Sequence, residues 1–306
     1  MLVAVSILIF VVLRLLPGDP IITRLGATPG VDPETIRQLR KTAGLDDPLA
    51  VQYFRWVGGV LHGDFGQSYF NQYSVGTLIA QSLPATLQLT AVSMVLSIIL
   101  AVPLGIVAAL RPRRLLDRLI STGAAAGLAL PQFLVGIILI LIFAVRLRWL
   151  PARGAVPFST SPAEHFEHLL LPSLTLAIAA TPLLLRFLRS SMVDVLGATY
   201  IRTAEGKGAS RLRVVLGHAL RNAMIPTLTM LGLIVGYTLG GVVIIEYIFG
   251  LPGLGSLAVR SVFNRDYAVL QSVTLLISAM FILTSLAVDL LYGVLDPRLR
   301  VARAHA

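Results

Sequence analysis

The chain has 306 residues, 56% of them apolar and 13% charged, with a mean hydropathy of +0.83; so oily a composition excludes an ordinary water-soluble domain and defines a polytopic membrane protein. It contains no cysteine, which excludes disulfides, thiolate metal sites and a cysteine nucleophile. The formal charge of +10 is spread along the loops rather than clustered with aromatic residues, a pattern of topology and lipid contact and not of nucleic-acid binding.

The apolar runs are long and do not alternate, so they read as helices rather than barrel strands. Residues 1–16 are apolar but reach only about 24 Å, against about 30 Å of hydrocarbon. They lack the basic leader and small-residue cleavage site of a signal peptide and are expected to be a first span, with Arg14 snorkelling to the interface. From 17 to 85 an external helical segment is expected. Within it Asp32 and Pro33 supply an N-cap and a first helical residue. Asp47-Pro48 opens a second helix with Val51, Phe54, Val57 and Leu61 on one face, and a third short helix over 75–82 leads to Leu83-Pro84.

A transmembrane core over 86–292 follows, with spans at 86–110, 119–145, 171–189, 225–248 and 268–292, then a tail over 293–306. Pro131 and Gln132 lie in the middle of the 119–145 span. A proline there frees a carbonyl inside the bilayer, as a kink that either lines a pathway or packs. His165, Glu167 and His168 fall in the 146–170 loop without the spacing that sets two imidazoles and a carboxylate on one helical face, so no metal site is expected. Gly232, Gly236 and Gly240 form a stripe that lets a helix approach closely, read as packing within the chain. Asp289 lies a few residues from the polar tail, where an interfacial pairing is expected instead of a proton relay.

One polar stretch stands apart. Residues 200–226, YIRTAEGKGASRLRVVLGHALRNAMIP, place Arg202, Glu205, Lys207, Arg211, Arg213, His218 and Arg221 between two apolar runs. The pattern predicts a short helix, a turn containing Gly206 and Gly208, and a second helix capped by Ser210. Leu212, Val215, Leu216, Ala219, Leu220 and Ala223 recur at helical spacing on one face of that second helix. A basic amphipathic helix between spans can simply rest on anionic headgroups.

The residue order resembles the EAA loop of binding-protein-dependent ABC importer permeases: Glu-Ala-Ala, three residues, Gly, then a basic-to-apolar helix ending at Pro. Arg202-Thr203-Ala204, Gly208 and Pro226 stand at those positions, with Arg202 replacing the leading Glu. TAEGKG at 203–208 and HALRNAMIP at 218–226 are similar to the oligopeptide and dipeptide permease branch, as are PGDP at 17–20, EYIFGLPGLG at 246–255 and DLLYGVLDPRLR at 289–300.

The resemblance covers most of 17–300 and implies an all-α fold of six transmembrane helices, the type I ABC importer permease fold, with a first span incomplete at its N-terminus. It implies residence in the bacterial cytoplasmic (inner) membrane among membrane lipid. The partners implied are a second permease subunit of similar fold, two cytoplasmic ABC ATPase domains and an external solute-binding protein, with no nucleic acid. ATP and Mg would sit on those partner subunits, leaving no cofactor in this chain. Peptides are the expected cargo, with nickel chelates and glutathione also handled in that family. ATPase coupling is implied for Tyr200, Arg202, Thr203, Ala204, Glu205, Lys207 and Gly208, within a cytoplasmic loop over 190–224, and Arg211, His218, Arg221, Asn222 and Pro226 would form the loop helix. Pro131, Gln132, Gly232, Gly236 and Gly240 are candidates for the pathway or for helix packing.

The residues themselves supply the complementary half. Gly206-Lys207 has Ile201 where a phosphate-cradling loop needs Gly and Gly208 where it needs Ser or Thr; Gly250, Gly253 and Gly255 do not run as GxGxxG. ATP hydrolysis is therefore expected on another chain, with no catalytic residue in this one. With the 200–226 loop inside, inner segments hold fourteen Lys and Arg and outer segments ten, five of these in the long excursion that the positive-inside rule discounts. Six spans with both termini cytoplasmic fit those counts. Two other classes stay open. An intramembrane enzyme would need a constellation within the spans, and no His lies inside one; a proton-coupled carrier would need paired intramembrane acids, and only Asp289 approaches one.

Overall fold

A computed structural model of the chain describes residues 1–15, 32–42 and 44–295, and of Pro33, Leu39, Asp289 and 291–295 the backbone only. The PGDP residues 17–20, the 296–306 tail and the pairing expected of Asp289 lie outside the described residues. In chain order the helices are α1 (Leu2–Leu15), α2 (Pro33–Thr42), α3 (Leu49–Leu61), α4 (Val75–Leu110), α5 (Leu115–Ala129), α6 (Gln132–Leu139, run on by a π-helix Ile140–Arg146) and α7 (Pro162–Leu196). Then come α8 (Thr199–Gly206), a π-helical stretch Arg213–Leu220, α9 (Arg221–Phe249), α10 (Leu254–Phe263) and α11 (Tyr267–Leu295). Among the described residues the one extended pairing is an isolated bridge between Gln67 and Ser74. Met1–Leu87 with Gly250–Met280 form one compact unit, and Gln88–Phe249 with Phe281–Ala306 another.

In the first unit α1 packs on α3 through aromatic rings: Phe10 meets Tyr53 edge-on at 5.5 Å and stacks on Trp56 at 6.4 Å. Asp32 caps α2, accepting from the Glu34 amide at 3.3 Å. Asp47-Pro48 opens α3 as expected, with Leu49 its first helical residue. Asp47 does not cap it but pairs with Arg55 at 2.7 Å, and Pro48 occupies the cap position without a side-chain bond. The face that holds Val51, Phe54 and Leu61 is outward, the three being 45%, 72% and 79% exposed, because the rings of Tyr53 and Trp56 turn the other side of the helix toward α1. Asp266, 4% exposed, ties the loop after α3 to the start of α11. Its carboxylate accepts from Ser68 Oγ at 2.5 Å and the Tyr69 amide at 3.1 Å, and it meets the Val269 amide at 3.5 Å as an N-cap. The helix α10, which the hydropathy pattern did not reveal, starts at an amide held by Thr86 Oγ1 at 2.8 Å and packs with Val75, Ile79, Val269 and Val273.

Another correction concerns α4. The short helix expected over 75–82 and the span expected from 86 are one helix of 36 residues. Pro84 costs it one backbone hydrogen bond, and the apolar anchors on either side, Val75 and Ile79 before and Leu89 after, all buried, outweigh that loss.

The second unit is built on α7, two-thirds buried over its apolar window against 22% for α11. Its core runs through Leu184 and Leu185 to Met94, Ala101, Ala124 and Ile234. The helix starts earlier than expected, at Pro162, because Ser161 caps it by accepting from the Glu164 amide at 3.4 Å. His165, Glu167 and His168 therefore lie on its first turns and not in a loop; His165 Nδ1 meets Val156 O at 2.7 Å. Among the described residues no group of three His, Asp or Glu converges.

Pro131 does more than kink its span. It ends α5 and caps α6, and the two halves meet at 101°. The glycine stripe divides. A Cβ on Gly232 would overlap Val288, and one on Gly236 would come within 2.7 Å of Phe281, so α11 closes there; Gly240 faces open space. Gly241, unmarked by the stripe, is the residue against which Gln132 lies. Among the described residues α4, α7, α9 with its π-helical lead and α11 are long and apolar enough to cross a bilayer, and the bent pair makes five if it counts as one span. The 14 residues of α1 reach about 21 Å.

Candidate functional site

The polar stretch folds as an anchored projection. Ile201, 2% exposed, inserts into a cluster of Ala109, Leu188, Met192, Val214, Val215, Ala219 and Ala223, so α8 is pinned by its apolar side to the ends of α4 and α7. On its outer side Tyr200 is 44% exposed, Arg202, Thr203, Glu205 and Lys207 are exposed, and Ala204 is half-buried. Among the described residues Arg202, Glu205 and Lys207 enter no ion pair, so their charges are available to another molecule.

The helix ends in a Schellman turn. The Gly208 amide donates to Glu205 O at 2.9 Å and the Ala209 amide to Ala204 O at 3.1 Å, with Gly208 at φ +82°, a conformation that a Cβ disfavours. A second clasp closes the other side: Asn222 Nδ2 donates to Tyr200 Oη at 3.0 Å and to His218 O at 2.8 Å. Beside α8 a cleft of about 450 Å³ is walled by Pro112, Gly197, Glu205 and Arg211.

The second helix begins after Ser210 as expected but is π-wound over Arg213–Leu220. That corrects the predicted face in part: Val215, Ala219 and Ala223 are buried as expected and Leu220 packs beside them, but two of its members are not. Val214 is 1% exposed, whereas Leu212 and Leu216 are 69% and 47% exposed. A π-turn holds more residues than an α-turn, so apolar positions counted at α-spacing rotate out of register. Arg211, Arg221, Asn222 and Pro226 are exposed and His218 half-buried. The structure thus gathers Tyr200, Ile201 and Asn222 with the π-stretch, while Pro131, Gln132, Gly232 and Gly236 belong to the helix packing of the same unit and Gly240 faces open space. Ile201 and Val214, the anchors, were missed; an isoleucine alone amid TYIRTAEG is the signal that could have found the first.

The described residues thus make an all-α membrane body that sets one short charged helix between two spans. Solved structures agree on the fold. The inward-facing MetNI methionine ABC transporter superposes with a TM-score of 0.60 over 72% of this chain and 96% of that one at 17% identity. An amino acid ABC transporter does so with 0.51 over 72% and 94% at 15%.

The chain belongs to the family of binding-protein-dependent transport system inner membrane components, matched over residues 101–301, with the N-terminal component of such systems matched over residues 1–90. It is 46% identical over 299 residues to the glutathione transport system permease protein GsiC of Salmonella paratyphi A (98% of this chain, 94% of that protein). The same protein of Escherichia coli K12 is 45% identical over 296 residues (97% and 94%). The probable peptide ABC transporter permease of Sinorhizobium fredii is 41% identical over 296 (97% and 94%). The chain is therefore a polytopic inner-membrane permease of an ABC importer; it is not an enzyme, and ATP hydrolysis belongs to separate subunits. Membership sets aside the intramembrane enzyme and the proton-coupled carrier. In this family generally a permease works with a partner permease, ATPases that hold ATP and Mg, and a solute-binding protein.

Proposed function

We propose that the chain forms half of a path for peptides, a second permease of similar fold supplying the other half. Two ATPase domains dock on the cytoplasmic side and a binding protein delivers cargo outside. Both termini are cytoplasmic, 17–85 is external and 190–224 is the coupling loop. The relatives named for peptides and for glutathione, itself a short peptide, support the cargo class.

In this reading α8 is a lever. Tyr200, Arg202, Thr203, Glu205 and Lys207 enter a groove on the ATPase, with Arg202 and Lys207 meeting carboxylates that set register more than affinity. Ala204 and Gly208 keep the surface low enough to seat. Closure of the ATPases on ATP moves α8, and the motion passes through Ile201 to α7 and through the π-stretch carrying Arg211, His218, Arg221, Asn222 and Pro226 to α9. The result is a shift between two populated states, each with its own ATP affinity. The bend at Pro131 and Gln132, closed against α9, lies along the path, while Gly232 and Gly236 hold α9 to α11.

The observation that carries this reading is the build of α8: one buried anchor, exposed unpaired charges, and an end fixed by a left-handed glycine. The test is peptide uptake by the complete assembly reconstituted in vesicles. Gly208→Pro and Ala204→Arg are expected to abolish uptake while leaving membrane insertion and abundance unchanged. Normal uptake by both variants would overturn the assignment.

A further inference from the structure

Arg14 stands where two hollows of the first unit meet. On one side a groove of about 730 Å³ runs between α1 and α3, walled by Ile7, Phe10, Val11, Leu49 and Phe54. On the other a polar cavity of about 450 Å³ has Trp56, Tyr69 and Gln271 in its wall, and Arg14 and Gln52 belong to both. The guanidinium lies over the Phe10 ring, 5.1 Å from its centre.

Around the polar cavity Arg14 Nε, Trp56 Nε1 and Gln271 Nε2 are buried and have no hydrogen-bond partner among the described residues, and Gln271 as a whole is 5% exposed. Arginine and tryptophan nitrogens can only donate, and buried donors without a partner are rare because each costs free energy. Three of the four unpartnered atoms thus call for an acceptor, Gln52 Oε1 being the exception, and a guanidinium among the donors, whose other contact in this wall is the Tyr69 hydroxyl, favours an anionic one. The carboxylate in the same wall, Asp64, is engaged by the Gly66 amide at 2.9 Å.

A free anion would satisfy the donors and leave the groove bare. The groove, however, opens between helices whose outer sides are oily, with Leu8 62% and Phe54 72% exposed, and in a membrane subunit such sides meet lipid chains. We infer that this recess holds one anionic phospholipid, its phosphate at Arg14, Trp56 and Gln271 and one acyl chain along the α1–α3 groove. The site is independent of the coupling helix.

The test uses the complete permease assembly in phosphatidylcholine nanodiscs doped with phosphatidylglycerol, released into native mass spectrometry. The wild type is expected to retain phosphatidylglycerol in preference to phosphatidylcholine. Arg14→Gln should lower that retention about fivefold, one surface cation's worth. Ala50→Trp, which fills the groove and leaves the donors in place, should lower it comparably, and glycerol phosphate should fail to displace the lipid. Co-purification of the partner subunits checks that each variant is assembled; if Arg14→Gln is not, Ala50→Trp decides alone. Unchanged retention in an assembled variant would overturn the proposal. Displacement by glycerol phosphate would do the same, because it would mark a free-anion site.

Discussion

Asp117 is 4% exposed and its carboxylate is answered on every side. Arg189 grips it bidentately at 2.5 and 2.6 Å, the Arg113 amide donates at 2.7 Å and Ser121 Oγ at 3.2 Å. The pair ties the start of α5 to α7 across 72 positions of sequence. Removing one partner of a buried pair costs about 3–5 kcal/mol; with Arg189 27% exposed we expect the lower part of that range for Asp117→Ala. Arg189→Lys should recover only part of the loss, because an ammonium cannot fork. Removing both charges should cost less than the two single losses added. Thermal melting of the four proteins in one detergent measures this cycle. None of it was legible beforehand: Arg189 counted among the cations that orient the chain, and only the fold brings it to Asp117.

At the scale of elements, legibility followed the strength of the local signal. The start of α2 at its Asp32 cap and the extents of α9 and α11 come from a cap and from unbroken apolar runs, and these were readable, whereas α4 and α7 begin earlier than their apolar runs suggest. What failed were local rules overridden by packing. Pro84 read as a break, yet α4 runs through it; Pro131, the same residue type, separates two helices by 101°. A proline removes one hydrogen bond in either case, and the anchors before and after it decide whether the helix survives. The π-stretch escaped notice because hydrophobic counting assumes α-spacing, although Val214 is 1% exposed. The glycine stripe was readable as a stripe, but which glycines matter was not. Gly232→Ala should cost about 1–3 kcal/mol, since its Cβ would overlap Val288. Gly240→Ala, facing open space, should stay within about 0.5 kcal/mol of the wild type. Melting midpoints of the two variants, side by side, would expose an error in the placement of α11 on α9.

For the molecule as a whole the open quantity is parity, and the chain carries its own reporters of it. Lys41 and Lys207 are its only lysines; both are exposed, one on α2 and one at the end of α8. Between them the chain runs through α4, the bent pair and α7. If the bent pair crosses the bilayer as one broken span, three crossings separate the lysines and they face opposite sides; if it is re-entrant, two crossings put them on the same side. The charge bias, fourteen against ten, favours opposite sides but is too even to decide. A membrane-impermeant amine reagent is therefore expected to modify Lys41 in right-side-out vesicles and Lys207 in inverted ones, read by peptide mass spectrometry. Labelling of both from one side would make the bent pair re-entrant and remove the proposed orientation. The inverted vesicles carry a further arm. With the ATPase subunits present, Lys207 should be protected severalfold because α8 is seated, and stripping those subunits should restore its reactivity. A lysine equally reactive in both preparations would leave α8 facing the cytoplasm without a docked partner, and the lever would have to be sought in another element.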